Sequence, residues 1–185
     1  MAARASQRLR YSPNDYIDTP PAVAKMMIEM CNITPEMTVL DPSKGNSAVF
    51  YNNLPLCKKD WCEVLENRDF FNSNTKYDLI IGNPPFSKWD NWIKHTMKLT
   101  DKFCYIMSCY NLTPARINDI IINGFGITKI HLLKVDWWFS PSYIVIFEKL
   151  KQSIITTTPD RVLCEFCNKR CMRGRKGNDP NKCSA

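Results

Sequence analysis

Apolar residues recur along this chain in two alternating rhythms. Thr19-Pro20-Pro21 precedes AVAKMMIEMC, where a Thr cap and Pro in the first turn predict a helix with Ala22, Met26, Met27 and Met30 as its apolar face. Residues 37–40 predict a short buried strand ending in a tight turn, and SAVFYNNL starts a second helix. WCEVL (61–65) predicts a short strand, and YDLIIG (77–82) predicts a clear one, stopped by NPPF. Residues 87–99 carry Trp89, Trp92, Ile93 and Met97 at helical spacing. A strand over 102–109 and a helix over 112–124, closed by Gly124, follow. Residues 127–135 and 142–150 are strands joined only by DWWFSP, and so short a link forces an antiparallel pair.

Strands alternating with helices predict an α/β fold: an open, mostly parallel sheet covered on both faces, with an antiparallel hairpin at the C-terminal edge. SIITTTPD (153–160) loses both rhythms and reads as a linker. The chain thus divides into a basic arm (1–10), a catalytic-type body (11–152), the linker, and a Cys-rich basic tail (161–185).

Composition sharpens this. The chain has 185 residues, 44% apolar and 23% charged, which fits one ordinary domain with a small appendage. No apolar run is long enough for a membrane span, and MAARASQRLR lacks the apolar stretch of a secretory signal, so an intracellular, non-secreted protein without membrane contact is expected. Five of the nine cysteines are scattered singly, which suits a reducing compartment. The net charge of +7 is concentrated at the ends: +3 in residues 1–10 and +5 in residues 161–185, around a body of −1. Two basic ends point to a polyanion, nucleic acid first.

Ligands of open parallel sheets bind beyond the carboxyl ends of the strands. Three polar signals fall there. Asp41-Pro42-Ser43-Lys44-Gly45-Asn46-Ser47 follows the first strand, and Gly45 permits a tight turn before a helix. Gly82-Asn83-Pro84-Pro85-Phe86 follows YDLII; its prolines stiffen the chain and leave the Asn83 and Pro84 carbonyls without strand pairing. A carboxamide, free carbonyls and an aromatic ring together suit a planar amino group. Asp69 with its two following aromatics is the third. His95 and His131 have no second His or carboxylate at ligand spacing and read as structural.

With these residues in order along the chain, it resembles the S-adenosylmethionine-dependent amino methyltransferases, especially the DNA adenine-N6 group in its short phage or viral form. The resemblance spans roughly residues 11–150 and includes FSPSYIVIFEK, similar to the last two strands of the family. It implies a Rossmann-like methyltransferase sheet. It implies Asp41 and Gly45 at the methionine end of the cofactor, Thr19 near its carboxylate, and Asp69 and Phe70 at its adenine. Either Glu63 or Glu66 would bind the ribose, although the five residues between Glu63 and Asp69 leave no room for the usual helix and strand. Asn83 and the Pro84 carbonyl would hold the target amine. Pro85 would stiffen that turn and Phe86 would stack on the target base. An aromatic of the hairpin loop (Trp137, Trp138 or Phe139) would support the flipped base. Ser47 stands where the family usually has a second Gly.

The resemblance implies methyl transfer to adenine in DNA. RNA adenine, a protein glutamine amide and a non-catalytic DNA-binding remnant remain as other readings. A recognition domain of the usual size is missing, so sequence choice would come from loose specificity, a protein partner or the tail. In the tail, Cys164, Cys167, Cys171 and Cys183 have the number and partial spacing of a four-thiolate structural zinc site.

Overall fold

The computed structural model describes residues 17–138 and 140–157. The basic arm, the tail with its four candidate zinc ligands, and Phe139 lie outside these residues. The described chain forms one six-stranded sheet in the order β2-β1-β3-β4-β6-β5. The strands are β1 (Thr38–Asp41), β2 (Lys58–Trp61), β3 (Leu79–Gly82), β4 (Lys102–Ser108), β5 (Phe125–Leu133) and β6 (Ser142–Lys149). The helices are α1 (Pro21–Cys31), α2 (Val49–Asn53), α3 (Trp89–Leu99) and α4 (Pro114–Ile122). The first four strands pair in parallel. β6 runs antiparallel to both β4 and β5. The hairpin therefore forms the edge as its short link requires, with β6 as its inner strand and β5 outermost. No helix among the described residues is long and apolar enough to cross a membrane.

Alternation along the central strands feeds two apolar layers, which is why these segments read as continuous apolar runs. Val39, Leu79, Ile81, Cys104, Ile106, Ile144 and Ile146 face α1 and α2. Leu40, Ile80, Phe103, Tyr105, Val145 and Phe147 face α3 and α4.

Several local expectations are corrected. The cap of α1 is Pro20, not Thr19, and no side chain caps it. Thr19 is buried instead, one step too early to reach the first free N–H groups. The buried face of α1 is Val23, Ala24, Met27, Ile28 and Cys31, with Met26 exposed. Two apolar stripes compete on this helix, and the one with the compact β-branched side chains packs. The second strand ends at Trp61, so WCEVL is not a strand; Val64–Glu66 is a 3-10 turn. Another 3-10 turn covers Phe70–Asn72, and no α-helix joins β2 to β3. The linker expectation also shifts: the Ile154 N–H donates to the Ile127 carbonyl at 2.9 Å and Ile155 packs on the core, so the body reaches at least Ile155.

Candidate active site at the ends of β1 and β3

From β1 the chain turns outward to β2, while from β3 it turns the other way to β4. Neighbouring strands whose connections diverge leave a crevice beyond their carboxyl ends. A cavity of about 610 Å³ opens there, within the size range of small-molecule sites. Its walls are the loop after β1 (residues 42–47), the turn Glu63–Leu65, Asp69 to Phe71, Asn83 and Pro85 after β3, and the segment Ile17 to Thr19.

The ends of β1 and β3 touch because Gly82 has no side chain. A Cβ there would stand 3.1 Å from Pro42 Cδ and 3.4 Å from Asp41 Oδ1. Across this joint the Ser43 hydroxyl donates to the Asn83 main-chain carbonyl at 3.0 Å. That carbonyl, which has no strand partner as expected, is thus engaged by a side chain. The Asn83 side chain is held from the other side, where Nδ2 donates to the Ile17 carbonyl at 3.0 Å. A carbonyl only accepts, so the carboxamide must present its nitrogen to Ile17 and turn its oxygen away. Oδ1 is buried and has no hydrogen-bond partner among the described residues.

Asp41 is fully buried and is not a wall of the cavity. Its Oδ1 accepts from the Ser43 N–H at 3.3 Å, and Oδ2 is buried without a partner among the described residues. Burial pushes its carboxyl up to about 7, only partly offset by backbone N–H donors and Lys44. Asp41 thus supports the loop from beneath rather than meeting a ligand directly.

Gly45 turns the loop at φ 61, and its N–H donates to Glu63 Oε2 at 2.9 Å. Glu63 Oε1 caps the 3-10 turn by accepting from the Leu65 N–H at 3.1 Å. Each oxygen of Glu63 so keeps a lone-pair site toward the cavity. Glu66 is engaged elsewhere: it pairs with Lys44 Nζ at 2.7 Å and is not a cavity wall.

Asp69 Oδ1 caps the second 3-10 turn, accepting from the Phe71 N–H at 3.0 Å. Phe70 lines the cavity but is deeply packed. Its ring is only 2% exposed and packs on Trp92 (4.5 Å between centroids) and His95 (4.8 Å), so its faces are largely taken. The half-buried Phe71 and the exposed Val64 and Leu65 offer the cavity more apolar surface. Sequence reasoning missed these last two by assigning them to a strand. It also passed over Ser43, although a hydroxyl in the turn after β1 was the available signal.

Thr19 is buried and lines the cavity beside Ile17. Pro84 is buried; Phe86 is half-buried, opens a 3-10 turn, and lies off this cavity. Trp137 is 74% exposed and borders a second hollow next to Thr19, while Trp138 packs on the α1 side of the sheet. His95 packs against Phe70 and Phe71, and His131 is exposed on β5. No group of three His, Cys, Asp or Glu among the described residues is placed to hold a metal ion.

This mixed sheet, with its crevice between β1 and β3, is a methyltransferase fold. It superposes on a protein from Pyrococcus horikoshii assigned as an RNA methyltransferase, with a TM-score of 0.61 and 19% identity over 72% of this chain and 87% of that one. It also superposes on the modification subunit assigned to a type I restriction enzyme from Vibrio vulnificus, with a TM-score of 0.58 and 13% identity over 82% of this chain and 48% of that one. In sequence the chain is similar to Type II methyltransferase M.HincII of Haemophilus influenzae, 32% identical over 108 residues. That match covers 51% of this chain and 22% of the relative, so the chain spans about a fifth of the curated relative it matches. No family model matches the chain.

Proposed function

We propose that this chain transfers a methyl group from S-adenosylmethionine to the N6 amino group of adenine in DNA. One observation carries the reading: the buried Asn83 Oδ1, an acceptor without a partner among the described residues, on a side chain held by Ile17 and lining the β1–β3 cavity. A buried acceptor left open calls for a donor. The exocyclic amine of a base supplies two N–H bonds, whereas a carbonyl or hydroxylated carbon does not match it so well. The similarity to M.HincII supports DNA as the substrate.

The residues present fit the cofactor. Glu63 has free lone pairs for ribose hydroxyls, and Glu66, bound to Lys44, does not compete for this role. The second oxygen of Asp69 would accept from the adenine amino group. Phe71, Val64 and Leu65 give that ring apolar cover in place of the buried Phe70. The backbone of the Gly45 loop and Thr19 would face the amino-acid end, with Asp41 acting through Ser43. When bound, the cofactor supplies an electrophilic sulfonium methyl.

The rest is the work of the chain. An aromatic amine is a poor nucleophile because its lone pair is spread into the ring. Asn83 Oδ1 and the Pro84 carbonyl, accepting its two N–H bonds off the ring plane, would favour a pyramidal nitrogen with a localised lone pair. Pro84 and Pro85 hold these acceptors still, and holding reactants in register is a large part of catalysis. Phe86, off the cofactor cavity, is free to stack on a base rotated out of the duplex. In the same reading, Cys164, Cys167, Cys171 and Cys183 bind one structural zinc, the basic ends contact phosphates, and a protein partner or the tail supplies sequence choice.

Labelled S-adenosylmethionine offered with DNA, RNA and cell lysate, followed by nucleoside mass spectrometry, tests this. N6-methyladenine in DNA is the expected product. Label only in protein, only in RNA, or only as N4-methylcytosine overturns the target. Asn83→Ala should bind cofactor nearly as well as wild type and lose at least a hundredfold in turnover, a step of about 2.7 kcal/mol. Elemental analysis of reduced protein should find one zinc per chain.

A further inference from the structure

The loop after β1 and the turn after β3 carry different halves of the proposed reaction, yet one side chain joins them. Ser43 is bonded twice. Its N–H donates to Asp41 Oδ1 at 3.3 Å, which ties it to the base of the cofactor loop. Its hydroxyl donates to the Asn83 carbonyl at 3.0 Å, which ties it to the residue whose Oδ1 is left open. Gly82 lets these strand ends sit close, since a Cβ there would crowd Pro42 Cδ at 3.1 Å.

We propose that Ser43 is a positioning residue, which holds the Asn83 peptide so that occupancy of the cofactor loop sets the aim of the Asn83 carboxamide. This rests on the methyltransferase reading above and adds a residue to it. The Asn83 carboxamide has two anchors, Ile17 on its Nδ2 and Ser43 on its own carbonyl. Both anchors belong to segments that wall the cofactor cavity. A ligand that settles either wall therefore acts on Asn83 through a hydrogen bond. Without the Ser43 hydroxyl, the Asn83 carbonyl loses the bond that fixes its direction, and Pro84 confines the Asn83 ψ only to an extended range about 40° wide.

The test uses the full chain, with S-adenosylhomocysteine as the probe. In Ser43→Ala, kcat for methyl transfer to DNA should fall roughly tenfold, about 1.4 kcal/mol. The KM for S-adenosylmethionine should stay within about twofold, a split that separates positioning from binding. Ser43→Thr, which keeps the hydroxyl, should recover most of the rate. In the ¹⁵N–¹H spectrum, S-adenosylhomocysteine should shift the Asn83 carboxamide pair of the wild type. The same signals in Ser43→Ala should move markedly less, through the Ile17 anchor alone, although the probe binds equally well. Equal loss of probe affinity would make Ser43 a cofactor contact and overturn the proposal, as would unchanged kcat with an unchanged Asn83 response. If the wild type passes the probe's signal to Asn83 through Ser43 but methylates no DNA, the DNA target fails and the role of Ser43 stands.

Discussion

Two crossovers lead into and out of β3, and they are built on different physics. The link from β3 to β4 carries α3, which buries Trp89, Trp92, Ile93, Thr96 and Leu99 on one face. The link from β2 to β3 has two 3-10 turns and no α-helix. Cys62, Phe70 and Tyr77 anchor it in the core, Phe71 packs against them, and its remaining ties are polar. Lys44 pairs with Glu66 at 2.7 Å and Arg68 with Asp60 at 2.6 Å. The Tyr77 hydroxyl donates to Asp60 at 2.7 Å. The Trp61 ring has Lys44 Nζ at 3.8 Å from its centroid and the Arg68 guanidinium at 4.1 Å. Burial stabilises the first link; a set of directional contacts, each worth at most about 1 kcal/mol when exposed, assembles the second. Both links border the cofactor cavity, but the weaker one leaves its wall residues Val64 and Leu65 62% and 74% exposed. Segments of low local stability are where ligand-ordered elements are drawn from.

The comparison can be broken most severely on its apolar side. Trp89→Ala removes a ring 2% exposed and should cost roughly 3–5 kcal/mol in a denaturant melt, since a large cavity opens in the core. A loss below about 1 kcal/mol would mean that α3 is not the support described.

Two carboxylates sharpen the contrast through pH, with opposite signs. Buried Asp41 ionises near 3.8 unfolded and at about 7 folded, so stability is full below the first value and falls as pH rises through the second. Asp41→Asn should remove this loss, which is at most roughly 4 kcal/mol, and flatten thermal stability between pH 4 and pH 7. For Asp60, burial alone would raise the carboxyl, but Tyr77, the Trp61 N–H and Arg68 hold it below its ordinary 3.8. Its contribution is present above that value and lost as pH falls through the folded one. Asp60→Asn should therefore lower stability in the neutral range, where this contribution is present, and flatten its fall in acid; a change confined to alkaline pH would contradict the assignment.

The smallest effect belongs to the polar link. Arg68→Ala loses an exposed ion pair and a face of Trp61, and should lower global stability by about 1 kcal/mol or less. Hydrogen exchange should nonetheless quicken across residues 62–76, and S-adenosylmethionine should bind more weakly because Glu63 sits on that turn. Unchanged exchange there would show that Phe70 and Tyr77 suffice.

This contrast also explains what could be read from the sequence. Helix α3, the buried strands and the hairpin were legible because periodic apolar burial writes itself into spacing, whereas β2, exposed and charged, was placed too late in the chain. Asn83 and the Gly45 loop were legible as polar breaks at strand ends. The β2–β3 link was not, because cation–π and ion-pair ties between Lys44, Trp61 and Arg68 have no period. The rotation of α1 was lost for a related reason: two apolar stripes that share Met27 look alike until packing chooses. The engaged Asn83 carbonyl and the buried faces of Phe70 depend on tertiary neighbours that local sequence does not name.

The sheet ends in two edges, and each is guarded against other chains in its own way. β2 is four residues long and carries Lys58, Lys59 and Asp60, a short charged border that discourages pairing. β5 is nine residues long and would be an inviting template, but the chain after β6 folds back across its start. A Cβ on Gly126 would fall 2.1 Å from the Lys151 carbonyl, so only glycine admits this strap. A version of the protein shortened at Leu150 to remove the tail would strip the strap as well and bare the edge at Ile127. Such a protein should associate and precipitate at concentrations where one ending after Thr157 stays monodisperse in light scattering. One edge of the sheet is thus guarded by seven residues, none of which lines the cavity.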